Sequence, residues 1–195
     1  MNLKNIKIGS VPVLAFVWEV AKVVVISLAI ILPIRYFLVQ PFYVRGASME
    51  PNFYDYEYLI INEIGYRLGE PQRGDVVVLR DPHDRSQYFI KRIIGLPGED
   101  IEVKNGKVII YNSAYPEGQV LDESAYLAGT VSTRGPHKVW QLGAAEYYVM
   151  GDNREASMDS RVFGAVNKKE IIGRAWLRAW PFTRLTDFTT IDYSF

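Results

Sequence analysis

The chain has no cysteine, two histidines and no surplus of charge of either sign, with 22 Lys and Arg set against 22 Asp and Glu in 195 residues. Without cysteine there is neither a disulfide framework nor a thiolate metal site, and the chain is indifferent to the redox state of its surroundings. A net charge of zero lacks the basic footprint that draws proteins onto phosphate backbones, so nucleic acid is not expected as a partner. His83 and His137 lie in turn-like contexts, Asp81-Pro82-His83-Asp84 and Gly135-Pro136-His137-Lys138. They are far apart in sequence and no ligand-spaced cluster joins them, so no metal is expected. The Gly-x-Ser-x-Gly elbow of a hydrolase triad is missing too. What remains is a lysine: Ser48-Met49-Glu50-Pro51 is followed by a lone candidate base at Lys91, and a Ser-Lys pair needs neither Cys nor His.

With 49% hydrophobic residues and 13% aromatics, there is ample material for one compact core. From Leu14 to Val39 the sequence is LAFVWEVAKVVVISLAIILPIRYFLV, about the length that crosses a bilayer as a helix. Glu19 and Lys22 interrupt its first third and Arg35 its end. The uncharged run from Val23 to Ile34 could, on length alone, equally be a buried helix or a signal-peptide core. Three features favour a membrane anchor. The charges lie toward the ends, Trp18 and Tyr36 sit where interfacial aromatics belong, and extended-looking sequence follows at once. Removal as a signal peptide after Ala47 is disfavoured, because Arg45 would occupy a position that requires a small residue. Lys4, Lys7 and Lys22 precede the apolar run while Arg35 and Arg45 follow it, a small bias toward a cytoplasmic N-terminus. The expected organisation is a short cytoplasmic segment, 1–13, a transmembrane anchor, 14–39, and an extracytoplasmic β-rich domain, 40–195.

Beyond Gln40 the helical period gives way to β-branched runs bounded by Gly, Pro, Asp and Asn. These are Glu57 to Asn62, Asp75 to Arg80, Gln87 to Ile94, Asp100 to Val103, Lys107 to Tyr111, Lys138 to Gln141, Tyr147 to Met150 and Ile171 to Leu177. The pattern predicts a mainly β fold, an antiparallel β-barrel or sandwich. Asn105-Gly106 is the strongest hairpin signal. Residues 112–137, rich in Gly, Ser, Pro and acids, read as an insertion with little core content, in which Ala125 to Leu127 pack locally. Trp176 and Trp180 are expected in the core in preference to a lipid-facing patch.

Four segments in order, after the apolar N-terminal segment, give the Ser-Lys pair its context: Pro41-Phe42-Tyr43-Val44-Arg45-Gly46-Ala47-Ser48-Met49-Glu50-Pro51, Arg73-Gly74-Asp75-Val76-Val77-Val78, Lys91-Arg92-Ile93-Ile94-Gly95-Leu96-Pro97-Gly98-Glu99, and Gly151-Asp152-Asn153-Arg154-Glu155-Ala156-Ser157-Met158-Asp159-Ser160-Arg161 with Gly164 after it. With the apolar N-terminal segment, this pattern resembles the bacterial type I (leader) signal peptidases from about Trp18 to Pro181. The resemblance implies a membrane-bound serine endopeptidase that removes signal peptides from exported preproteins on the outer face of the cytoplasmic membrane, with Ser48 as nucleophile and Lys91 as general base. It further implies that Ser157 orients the Lys91 amine, that Asp159 and Arg161 pair to hold the polar loop, and that Asp152 supports it. Four positions depart from the family: Ala156 stands where Asn is usual, Gly46 where some members place an oxyanion-binding Ser or Thr, and Asn52-Phe53 where Thr-Leu is more common.

Elementary chemistry agrees with the dyad. A lysine accepts a serine proton near neutral pH only when its amine is neutral, and burial lowers its pKa. In a strand, Lys91 shares a face with Phe89 and Ile93, an apolar wall around an amine. Members of the family select small residues at −1 and −3, which an extended peptide points into one wall. The resemblance assigns that wall to Phe42, Val44, Met49, Phe89 and Ile90. About nine residues separate Val39 from Ser48, which keeps the site near the lipid surface. The expected partners are preprotein signal peptides and membrane lipid, and no cofactor is implied. A self-cleaving repressor-type protease would carry a DNA-binding domain where this chain has an apolar helix. The remaining alternative is a catalytically silent, membrane-tethered β-domain that binds exported peptides.

Overall fold

The computed structural model describes residues 13–33, 39–136, 138–188, 191 and 193, in two units, Met1–Leu38 and Val39–Phe195. Lys4, Lys7, Arg35, Tyr36 and His137 lie outside the described residues.

The first unit contains one helix, α1 (Val13–Pro33). Its Ala15–Leu32 window has a mean hydropathy of 2.3, and its apolar side chains are exposed. At about 1.5 Å rise per residue its 21 residues match the hydrocarbon thickness of a bilayer, so α1 is long and apolar enough to cross one. Glu19 and Lys22 stand one turn apart and pair at 2.7 Å. Each thus answers the other's charge on the helix face.

The second unit is built from antiparallel strands: β1 (Val39–Tyr43), β2 (Tyr58–Asn62), β3 (Val76–Arg80), β4 (Tyr88–Gly95), β5 (Asp100–Lys104), β6 (Lys107–Tyr111), β7 (Gln119–Val120), β8 (Val139–Gln141), β9 (Glu146–Met150), β10 (Val166–Asn167), β11 (Ile171–Trp180) and β12 (Thr186–Asp187). Two short helices, α2 (Ile64–Leu68) and α3 (Ser160–Phe163), sit between them. One sheet runs β1-β2-β11-β3-β4-β9-β10, with β12 on β11; a second runs β7-β6-β5-β8. Both are open, so the antiparallel class holds without barrel closure. All eight expected strands occur, and the additional β1, β7, β10 and β12 are too short or too proline-bearing to signal themselves. In the β5–β6 hairpin, Asn105 and Gly106 both take positive φ, 53° and 79°, as a two-residue primed turn requires.

The core forms three clusters. One lies between the smaller sheet and β9, around Ile94, Ile101, Ile110 and Tyr148. The other two are on opposite faces of the large sheet, around Leu59, Ile61 and Val78 on one side and Val77, Leu79 and Ile93 on the other. Alternation along β3 and β4 supplies both faces from the same strands.

Two expectations are corrected. Trp176 and Trp180 are half exposed, not core. Irregular register between Ala175 and Leu177 and between Arg178 and Trp180 reverses the facing of β11, turning Arg178 inward onto Glu57 at 2.8 Å and the indoles outward. The 112–137 segment also has real core content: Leu121, Tyr126 and Leu127 are buried in the first cluster.

Candidate active site

Lys91 sits in the middle of β4, paired with Val77 of β3, while its neighbour Arg92 pairs with Met150 at the end of β9. This register delivers the chain leaving β9, Gly151 onward, directly beside the lysine. Ser48 arrives from the other end of the sheet, on the turn after β1. That turn is shaped by Gly46 at φ +88°, whose N–H donates to Asp55 Oδ1 at 3.0 Å, and by the Asn153 N–H donating to Ser48 O at 3.0 Å.

The two meet. Lys91 Nζ lies 2.8 Å from Ser48 Oγ and donates to its neighbouring carbonyl, Ile90 O, at 2.9 Å. The lysine is 3% exposed, and its amine stands 5.2 Å from the centre of the Phe89 ring, the apolar neighbour expected from strand alternation. Desolvation lowers its pKa from 10.5 to about 8, against the opposing pull of Asp159 and Asp152, which favour the charged form.

Both carboxylates are committed elsewhere. Asp152 accepts a bidentate pair from Arg92, Nε to Oδ1 at 2.8 Å and Nη2 to Oδ2 at 2.6 Å, and a further bond from Asn52 Nδ2 at 2.8 Å. Asp159 caps α3 and accepts from Arg161 Nε at 2.8 Å, Arg161 Nη2 at 2.7 Å and the Gly151 N–H at 3.0 Å. Burial pushes its pKa up, but these bonds outweigh burial and hold it below the ordinary carboxylate value. The expected Asp159–Arg161 pair is therefore present, with Asp152 at the base of the same loop.

Ser157 is placed differently from expectation. Its Oγ is buried against Gly151 and makes no hydrogen bond to the Lys91 amine, whose donors go to Ser48 and Ile90. Gly151 N–H is already taken by Asp159, and the Ser157 side chain packs where a Cβ on Gly151 would stand, next to the Ser48 carbonyl.

Beside the dyad lies a cleft of about 570 Å³, lined by Phe42, Val44, Leu59, Val78, Phe89 and Ile90, with Ser48 and Lys91 at its edge. Four of the five expected wall residues line it. Met49 does not: it is buried in the core, and its sulfur receives the Asp152 N–H at 3.4 Å. The rings of Phe42 and Tyr88 meet edge-on, 5.5 Å apart. His83 is exposed beside Asp81.

The family of the chain follows from comparison with known proteins. The model of the signal peptidase, peptidase S26 family matches residues 17–180. The chain belongs to this family. It is 38% identical to a probable signal peptidase I-2 of Synechocystis sp., over 86% of this chain and 75% of that one. It is 37% identical to signal peptidase I P of Bacillus subtilis subsp. natto, over 84% and 89%. Signal peptidase IB of Staphylococcus aureus shares 31% identity, over 82% and 87%. A solved signal peptidase I from Enterococcus faecalis V583 aligns with 54% of this chain and 97% of its own, at 27% identity and a TM-score of 0.43.

Within this S26 peptidase, several residues of the site escaped the sequence reading. Asn52, Glu123 and Tyr126 sit in turns whose long-range partners no local pattern reveals, and Arg92 was legible only through its adjacency to Lys91. Two tests follow from the geometry. The folded Lys91 amine holds its proton less tightly than the unfolded one, about 8 against 10.5, so its burial penalty is full below pH 8 and gone above 10.5. Lys91→Met is therefore expected to stabilise the protein by up to about 3 kcal/mol at pH 7. Urea unfolding at pH 7 and pH 10.5 checks this, an equal gain at both values ruling out desolvation as the cause. A Cβ at Gly151 would collide with the Ser48 carbonyl and the Ser157 hydroxyl. Gly151→Ala is expected to lower kcat by about 100-fold, since displacement of a nucleophile by an ångström carries that scale of loss; steady-state kinetics together with circular dichroism would detect a native-like, inactive variant.

Proposed function

We propose that Ser48 and Lys91 carry out the hydrolysis by which this signal peptidase cuts signal peptides from preproteins. The observation that supports it is the 2.8 Å contact between the serine hydroxyl and a buried amine whose pKa is drawn down to about 8. A neutral Lys91 takes the Ser48 proton as Oγ attacks the scissile carbonyl. The developing oxyanion is met by the Ser48 N–H, which has no protein acceptor among the described residues. Gly46 adds no second donor, because its own N–H is held by Asp55. Collapse of the tetrahedral intermediate breaks the peptide bond, and Lys91 returns the proton to the leaving amine. Water then hydrolyses the acyl-enzyme with Lys91 again as base.

Specificity for small residues at −1 and −3 is assigned to the cleft. An extended peptide points alternate side chains one way, here toward the apolar wall of Phe42, Val44, Phe89 and Ile90 beside Ser48. Asp152, Asp159 and Arg161 hold the loop beside the amine, and Ser157, on that loop, packs against Gly151. The organisation proposed is a cytoplasmic segment at 1–13, a single membrane anchor at 14–39 that includes α1, and a peptidase domain at 40–195 on the outer face of the cytoplasmic membrane. The length and hydropathy of α1 support the anchor. The charges that flank it support the orientation.

Cleavage of a lipid-tethered peptide carrying Ala-x-Ala before the scissile bond tests the dyad. Wild type is expected to cut after the second Ala, and Ser48→Ala and Lys91→Ala, shown folded, to be inactive; cleavage by either variant would reject it. Because protonation of Lys91 removes the base, kcat/KM should rise with pH to a midpoint near the amine's pKa of about 8. A profile flat from pH 6 to pH 9 would exclude a lysine base.

A further inference from the structure

The 112–137 segment is bonded to the polar loop that encloses Lys91. Arg154, on that loop, is buried; its Nε donates to Gly151 O at 3.0 Å. Its two terminal nitrogens grip Glu123 of the segment, Nη1 to Oε2 at 3.0 Å and Nη2 to Oε1, and Nη1 also reaches Thr133 Oγ1. The Tyr126 hydroxyl donates to Glu123 Oε1 at 2.8 Å, and its ring lies 4.2 Å beneath the Arg92 guanidinium. Asn52 Nδ2 bridges Tyr126 O and Asp152 Oδ2, both at 2.8 Å. Farther along, Arg161 Nη1 donates to Arg134 O at 2.8 Å.

These contacts converge on the dyad. Gly151, whose carbonyl Arg154 holds, packs against the Ser48 carbonyl, and Asn153, between them, donates its N–H to that same oxygen. Among the described residues Glu123 is the one carboxylate paired with Arg154. We propose that Glu123 is a positioning residue for the reaction: through Arg154 it holds the Gly151–Asp159 loop against the Ser48 turn and so keeps water from the Lys91 amine. The proposal rests on the Ser48–Lys91 reading.

Without Glu123 the buried guanidinium has lost its counter-charge and must be rehydrated, drawing the Gly151 carbonyl with it. The charged groups facing Lys91 are Asp152 and Asp159, both on this loop and neutralised by Arg92 and Arg161; β3 offers the apolar Val77, and the turn after β1 the Ser48 hydroxyl. Desolvation is the largest influence on the amine and exceeds both carboxylates. Admitting water therefore strengthens its hold on the proton, and the acid limb of the activity profile moves to higher pH.

The test compares kcat, KM and the pH profile of the full chain in detergent for wild type, Glu123→Ala, Glu123→Gln and Ser48→Ala, with circular dichroism as the folding control. Glu123→Ala is expected to raise the acid-limb midpoint by half a pH unit or more and to lower kcat about tenfold, with KM within about twofold of wild type. Glu123→Gln, which keeps an acceptor and the shape, is expected to shift it less. Adding Glu123→Ala to Arg154→Ala should cost no more than Arg154→Ala alone, the signature of action through that residue. A merely structural role lowers the amount of active enzyme and leaves the midpoint in place, and an unmoved midpoint in the folded variants overturns the inference; if the alanine variant does not fold, the glutamine variant decides. Cleavage that survives Ser48→Ala refutes the dyad and this inference with it, whereas an unmoved midpoint with Ser48-dependent cleavage refutes the inference alone.

Discussion

An amine sealed from water is the constraint around which the peptidase unit is arranged. Lys91 can serve as a base near neutral pH because burial makes its charged form costly, and burial is useful only if nothing nearby restores that charge. Two carboxylates, Asp152 and Asp159, stand close enough to do so. Each is tied by two nitrogens of an arginine, Arg92 and Arg161 respectively. The carboxylates can therefore shape the loop around Lys91 while much of their field is spent on guanidinium partners. Their residual effect is smaller than desolvation, which is why the amine ends near pH 8 instead of near its free value.

The sheet bears the geometric side of this constraint. β1 and β4 are separated in sheet order by β2, β11 and β3. In a flat sheet that separation is about 19 Å, at roughly 4.8 Å per strand. The turn after β1 nonetheless brings Ser48 Oγ within 2.8 Å of Lys91 Nζ. Twist and coiling of the open sheet, with irregular register along β11, bring the two together. The same curvature leaves a cleft between the β1 side and β4, so the space for an extended peptide and the meeting of the dyad arise from one feature.

Much of this was legible in the residues. β-branched runs bounded by turn residues located eight of the strands, and period-two alternation put Phe89 beside Lys91, because side-chain facing in a strand depends on nothing beyond the backbone. The Asn105-Gly106 turn was legible for a similar reason: two positive φ values in succession select those residue types. The errors were of another kind. Trp176 and Trp180 were expected inside because they are large and apolar, but register irregularities in β11 turned Arg178 inward to Glu57 in their stead. Met49 was assigned to the cleft by the resemblance to the family, yet the turn after Ser48 directs it into the core. The 112–137 segment looked peripheral in composition, and its role as a brace rests on Glu123, Tyr126 and Thr133, whose partners lie about 20 to 74 residues away.

By itself the sequence determined what local chemistry can decide: an apolar helix of membrane-crossing length, an antiparallel β unit, and a chain without cysteine in which a serine and a lysine are the candidates for the proposed dyad. These depend on backbone preference, hydropathy and side-chain reactivity, each carried by residues close together along the chain. The tertiary structure alone decided that Ser48 and Lys91 touch, that the amine is dry enough to lose its proton near pH 8, and that the polar loop is pinned by a segment outside the main sheet. Contact, desolvation and pairing between distant residues are properties of how the sheet curls and which groups it buries together. No stretch of sequence carries that information on its own.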